Sequence, residues 1–236
     1  MSTSLEPRRL PNLLLVVICF PLAAAGSVLW CAGLLPLWFH FPAIVLVALA
    51  VNSLAHDSLH GNVSEHRVLN DGVGWVCSFL AGLPRPLHVR AHGLHHSRPM
   101  SSLDPHRWMH GGPRVLLPLR WLTANLGYYR VLPGLPRADW PIVLAGVALY
   151  CLLVGLAPSR TLVGWVLPMQ LSTAAFAFFT DWLPHGPLGR RVERQESKGA
   201  EVSGRFHAVT MWHQDHHRTP RLPFYQGPEL LGRRRA

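Results

Sequence analysis

Charge is scarce in this chain. Of 236 residues only 14% are Asp, Glu, Lys or Arg, while 49% are hydrophobic. That share of charge is low for a soluble globular domain. Long apolar runs account for it, so the expected class is an all-α integral membrane protein. Acidic residues are the scarcer sign, 12 against 22 basic, for a net charge of +10. Such a balance can mark nucleic-acid binding. Here the arginines flank apolar spans, as the positive-inside rule expects, and nucleic acid is not an expected partner. Cysteine is also sparse. Cys19, Cys31, Cys77 and Cys151 form no C-x-x-C pair, which excludes a disulfide framework or a cysteine zinc site; they read as small core residues. The H-E-x-x-H motif is missing too, and with it the general base that a helical hydrolytic zinc site carries.

What is present is apolar length. Arg8 and Arg9 precede an apolar run that continues to about Leu35, longer than the ~7–15 residues of a signal-peptide core. It reads as a retained first span. Spans are expected at about 12–35, 37–55, 140–156 and 162–182, each long enough to cross the bilayer when helical. Pro36 and the connector Ala157–Thr161 close them into two hairpins. The connectors hold one arginine, Arg160. Both termini and the central region 61–138 are therefore expected on the cytoplasmic side, within a single domain covering residues 1–236.

Between the spans, Val73–Leu83 is too short to cross and is expected to lie at the interface or re-enter. Leu87–His96 reads as a helix, Ser101–Pro113 as a loop, and Val115–Leu132 as lying on the membrane surface. Residues 186–205 read as a charged loop, followed by a helix from Phe206 to His217. Trp75, Trp108, Trp121, Trp182 and Trp212 read as interfacial anchors; the other reading is a lipid tunnel.

Histidine is abundant, with 15 residues, and it is patterned. His56 and His60 form H-x-x-x-H, whereas His92, His95 and His96 form H-x-x-H-H, repeated by His213, His216 and His217. On a helix, positions i, i+3 and i+4 share a face, so each cluster can aim its rings at one point. The topology puts all three on one side of the membrane. Neutral imidazole is the commonest metal ligand. A catalytic zinc takes about three protein ligands, so these eight imidazoles suit two ions. His185 is a ninth candidate, and Asp181, four residues earlier, can orient a ligand or accept from a bound water. Asp57, Asp104 and Asp215 flank ligands and are expected to hold the far ring nitrogens. His40, His66, His88, His106, His110 and His207 read as surface or satisfied core, His40 as interfacial near the outer face. Imidazole suits zinc, copper, iron and nickel alike, so spacing leaves the metal open.

The segment His56–Gly61, the two H-x-x-H-H boxes and their placement resemble the membrane fatty acid desaturase superfamily, over about residues 40–226. That superfamily includes desaturase-like carotenoid ketolases and hydroxylases. The resemblance implies two iron ions held by histidines, O₂ as co-substrate, a four-helix stalk and a cytoplasmic helical cap. It also implies electrons from a separate ferredoxin- or cytochrome-type donor. The first-box spacing is similar to carotenoid ketolases, and Thr180–His185 and Leu222–Tyr225 to bacterial hydroxylase-type members. The expected activity is O₂-dependent desaturation or hydroxylation of a long apolar lipid, a fatty acyl lipid first, a carotenoid or other isoprenoid second. The reading of another class is a non-catalytic metal-binding membrane subunit.

Overall fold

Four helices are long and apolar enough to cross a membrane: Leu10–Cys31, Leu37–Leu59, Arg137–Leu156 and Ser159–Val192. They come from a computed structural model that describes residues 8–156, 159–196 and 213–226, in which all regular structure is helical. The chain runs α1 (Leu10–Cys31), α2 (Leu37–Leu59), α3 (Arg67–Leu80) and α4 (Arg85–Ser97). After short 3₁₀ turns come α5 (Leu117–Leu122), α6 (Ala124–Tyr128) and α7 (Trp140–Leu156). The fourth apolar helix is composite. It joins α8 (Ser159–Thr161), a π turn (Leu162–Val166), α9 (Leu167–Ala177), a second π turn (Phe178–Trp182) and α10 (Leu183–His185). Then follow α11 (Pro187–Glu196) and a helical stretch over 213–218.

Proline sets several starts. Pro36 and Pro84 sit at the N-caps of α2 and α4, and α1 carries proline in its first turn, where the missing N–H costs nothing. α1 and α7 bury almost nothing within the fold: Asn12 and Ala23 in the first, Val143 in the second. Their leucines and valines face outward, as lipid-facing helices require. α2 and α9 pack side by side, and α3 closes over α2. Ala48, Val51, Leu54, Val73, Cys77 and Met169 form the core between them.

His40 corrects one expectation. It is buried, not interfacial. Its ring stacks on Trp30 and its Nε2 lies 3.0 Å from the Gly164 carbonyl, in the first π turn. Trp30 Nε1 donates to the Arg160 carbonyl at 3.1 Å. The starts of α2 and of the fourth apolar helix thus meet at one end, and the two run parallel to the histidine end. Gly164 is obligatory here, because a Cβ would lie 2.5 Å from Trp30 Nε1.

Other expectations change as well. Ser101–Pro113 is not a plain loop: a 3₁₀ helix spans Pro105–His110, and Asp104 caps it by accepting from the His106 N–H. Asp followed by Pro is a helix-start signature. Residues 187–196 form α11 rather than loop, an amphipathic helix with Val192 buried and Arg190, Arg191 and Arg194 exposed. The 115–132 region breaks into short turns, none able to span. Of the cysteines only Cys77 is buried; Cys31 and Cys151 are exposed. His207, Trp212 and most of the expected helix Phe206–His217 lie outside the described residues.

A buried cation ties α2, α3 and α4 together. Arg85, at the start of α4, donates to Ser58 Oγ at 2.9 Å, to the Ser58 carbonyl at 3.2 Å and to the Ala55 carbonyl at 3.3 Å. Its fork adds donors to the last carbonyls of α2, where Asn70 Nδ2 also bonds the Ser58 carbonyl and Ser58 Oγ the Ala55 carbonyl. α3 passes over it at Gly74, where a Cβ would lie 2.6 Å from the guanidinium carbon. Arg85→Ala, which removes three buried hydrogen bonds to α2, is expected to cost about 1–3 kcal/mol, and Gly74→Ala to disturb the same joint. Both should lower the thermal midpoint of detergent-solubilised protein. A midpoint unchanged in both variants would remove Arg85 from this role.

Candidate metal centre

The histidine clusters sit at the ends of three helical elements that converge. His56 ends α2 one turn before its cap, His60 is the cap itself, and α4 carries His92, His95 and His96. The stretch 213–218 carries His213, His216 and His217, and α10 ends at His185. Their ring nitrogens fall into two groups. His56, His60, His92, His96 and His216 form one; His95, His185, His213 and His217 form the other. Within each group one nitrogen per residue lies within 4.8 Å of the others. The two H-x-x-H-H boxes are split: each contributes to both groups.

The contacts inside the groups bring ring nitrogen against ring nitrogen. His60 Nε2 and His92 Nε2 are 2.8 Å apart. His213 Nε2 lies 2.9 Å from His185 Nε2 and 3.0 Å from His217 Nε2, which is 3.1 Å from His95 Nε2. Imidazole nitrogens bind an ion at about 2.0–2.1 Å, so two on one ion at right angles stand roughly 3 Å apart. His96 Nε2 is buried with no hydrogen-bond partner. The spacings and this orphaned nitrogen fit a cation in each group.

Carboxylates hold the outer nitrogens of two of these rings. His95 Nδ1 donates to Asp104 at 3.0 Å, and Asp104 also accepts from the backbone N–H groups of Met100 and His106. His56 Nδ1 lies 3.3 Å from Asp57, whose other oxygen accepts from Asn12 Nδ2 at 2.8 Å. A proton at Nδ1 leaves Nε2 bare and aimed inward. Asp215 is buried and its Oδ1 receives Arg218 at 3.4 Å.

Asp181 has two histidine partners of its own. It sits in the second π turn, is buried, and is bonded by His106 Nδ1 and His110 Nε2. π turns recur at functional sites because the extra residue re-aims a side chain. His106 and His110 were expected to be bland; instead they anchor this carboxylate, and the His106 ring stacks on His95 with centroids 3.9 Å apart. His106 Nε2 is buried and free of hydrogen bonds. His88 is the satisfied core residue expected, with Nδ1 3.0 Å from Ser78 Oγ, and His66 is exposed as expected.

The family model described as fatty acid desaturase matches residues 33–236. The chain belongs to the fatty acid desaturase family. It is a membrane oxidoreductase that uses oxygen and acts on lipids. No curated protein matches the sequence.

Beside its histidines this family member holds a cavity of about 60 Å³, lined by His56, His92, His106, Met109, Phe176 and Asp181 among others. Leu83 and Asn125 line both it and a second cavity of about 640 Å³. The larger space lies between α7 and α9, walled by Phe79, Leu126, Val147, Tyr150 and Leu167. None of the expected tryptophans lines it. Trp121 and Trp182 pack instead around Phe178, and Trp108 Nε1 bonds Thr123.

Burial, and then the neighbouring imidazoles, depress three of the grouped histidines. His60 and His217 are lowered to about 2 and His96 to about 3. They are uncharged at neutral pH, the state a metal needs. Burial pulls His106 down too, but Asp181 outweighs it and leaves the ring above the ordinary imidazole value. The sign for stability follows. Unfolded histidine titrates near 6.5, so below that pH the unfolded chain binds protons that folded His60, His96 and His217 refuse. Metal-free protein should hold its stability above about pH 6.5 and lose it steadily as pH falls toward 3. A thermal midpoint that is flat from pH 7.5 to 4.5 would contradict this.

Proposed function

We propose that the two imidazole groups hold two iron ions and that the chain desaturates or hydroxylates a long fatty acyl lipid with O₂. The observation that carries this reading is the division of nine histidines into a group of five and a group of four beside an apolar cavity. His56, His60, His92, His96 and His216 would hold one ion, and His95, His185, His213 and His217 the other. Bound iron supplies O₂ activation and the oxidising power for an unactivated C–H bond. The protein's own residues do the rest. Asp57 and Asp104 fix ring planes and tautomers. Asn12 holds Asp57 in turn, and Asp181 holds His106 against His95. The apolar wall of α7 and α9 admits a chain and excludes water. Loss of two hydrogens from the chain, with two electrons and two protons from a separate donor, reduces O₂ to two waters. We place four passes through the bilayer, with both termini and the histidines on the cytoplasmic side, where the arginines lie.

Expression in a host making fatty acyl lipids and in one making carotenoids, followed by mass analysis, tests the substrate. Desaturation lowers the product mass by about 2 Da, hydroxylation raises it by about 16 Da and ketone formation by about 14 Da. The expected result is a change in acyl lipids; a change confined to carotenoids would move the substrate to the isoprenoid class. Val147→Phe, which narrows the larger cavity, should cut lipid turnover roughly tenfold or more while iron content is kept. Unchanged turnover would take the chain out of that cavity.

A further inference from the structure

One cavity is left unused by this chemistry. It lies at the histidine end of the fourth apolar helix, measures about 360 Å³, and is lined by Arg107, Arg114, Arg190, Gly112, Trp182 and His110 among others. Among the described residues no acidic one lines it. The three arginines are exposed. Arg190 donates to the His185 carbonyl at 2.6 Å, whereas among the described residues no side-chain hydrogen bond or ion pair engages Arg107 or Arg114. Asp181, which His110 of the cavity wall contacts, is shared between His106 and His110. Guanidinium groups gathered without a counter-charge repel one another, and an anion with several acceptor oxygens relieves that.

The surroundings say which anion. Immediately after Arg114 come Val115, 83% exposed, and Leu116 and Leu119, also exposed. They lead into α5, which packs on the membrane-crossing α9. The charged cavity therefore opens onto apolar surface, with Trp182, a side chain suited to the headgroup level, in its wall. The loop is built for concavity. Gly112 has φ +76°, and a Cβ there would come 2.9 Å from the Arg120 guanidinium, itself fixed by the Trp108 carbonyl and ring.

We propose that this cavity binds the phosphate of an anionic phospholipid headgroup, with the acyl chains lying along Val115 and Leu119. The phosphodiester would meet Arg107, Arg114 and Arg190, which a soluble anion could also do; the adjoining apolar surface is what favours the lipid. The inference rests on the membrane reading and is independent of the metal reading, so either can fail alone.

Native mass spectrometry of the delipidated full chain in detergent, titrated with phosphatidylglycerol or phosphatidylcholine, tests it. The native protein should retain phosphatidylglycerol in preference, and Arg107→Gln/Arg114→Gln should weaken that retention at least about tenfold by removing two charge-assisted contacts. Arg67→Gln, an exposed arginine on α3, should leave it unchanged. No headgroup preference in the native protein, equal retention in the double variant, or an equal loss in Arg67→Gln would each overturn the proposal. Displacement of the lipid by millimolar inorganic phosphate would assign the cavity to a free anion and overturn it too. If the double variant loses its melting transition, Arg114→Gln alone is judged by the same criteria.

Discussion

Ring nitrogens crowded against ring nitrogens are the constraint on which this structure turns. Neutral imidazole has one N–H and one bare nitrogen. Around two points the fold brings such nitrogens to about 3 Å of each other, as at His60–His92 and His213–His185. Protonation would stack cations in a desolvated space, which the depressed values at His60, His96 and His217 express. A bound divalent cation removes the conflict, because each lone pair then has a partner. The arrangement of the helix ends is intelligible as the means of holding those nitrogens convergent.

The supports form tiers. Asp104 takes the His95 proton and also nucleates the turn that delivers His106 and His110. Asp57 takes His56 and is held from α1 by Asn12. Arg85 closes α2 at the point where its histidines leave the helix. The second π turn then brings Asp181 to His106, with His95 of the group of four close by. Each of these groups is polar and buried, and each has a partner, as burial away from water demands. α1 thus contributes to the histidine end through Asn12 near its start, while Leu13, Leu15, Val16 and Phe20 pack on the core beside α2 and α3.

The apolar spans and the three histidine boxes were legible in the sequence because each depends on local pattern: apolar length in one case, helical spacing in the other. The assignment of nine histidines to two groups was not legible, since the split of each H-x-x-H-H box between groups is set by how α4 and the 213–218 stretch cross. His106 and His110 looked like scattered histidines, and only their contact with Asp181 separates them from His66. The Asp104–Pro105 start signal lay in view but was outweighed by the surrounding glycines and prolines. Asn12 looked like the polar edge of a span, and Arg85 like one basic residue among many. Their roles come from partners 45 and 27 positions away. α11 was hidden because its charges resemble a loop until the single buried face through Val192 is seen.

The central claim is that two separate imidazole groups each hold an iron ion. Metal analysis of the purified full chain tests it directly, alongside His96→Ala from the group of five and His185→Ala from the group of four. The account predicts two irons per chain in the native protein and loss of iron occupancy in each variant. One zinc and no iron in an active native protein, or two irons retained by both variants, would contradict it.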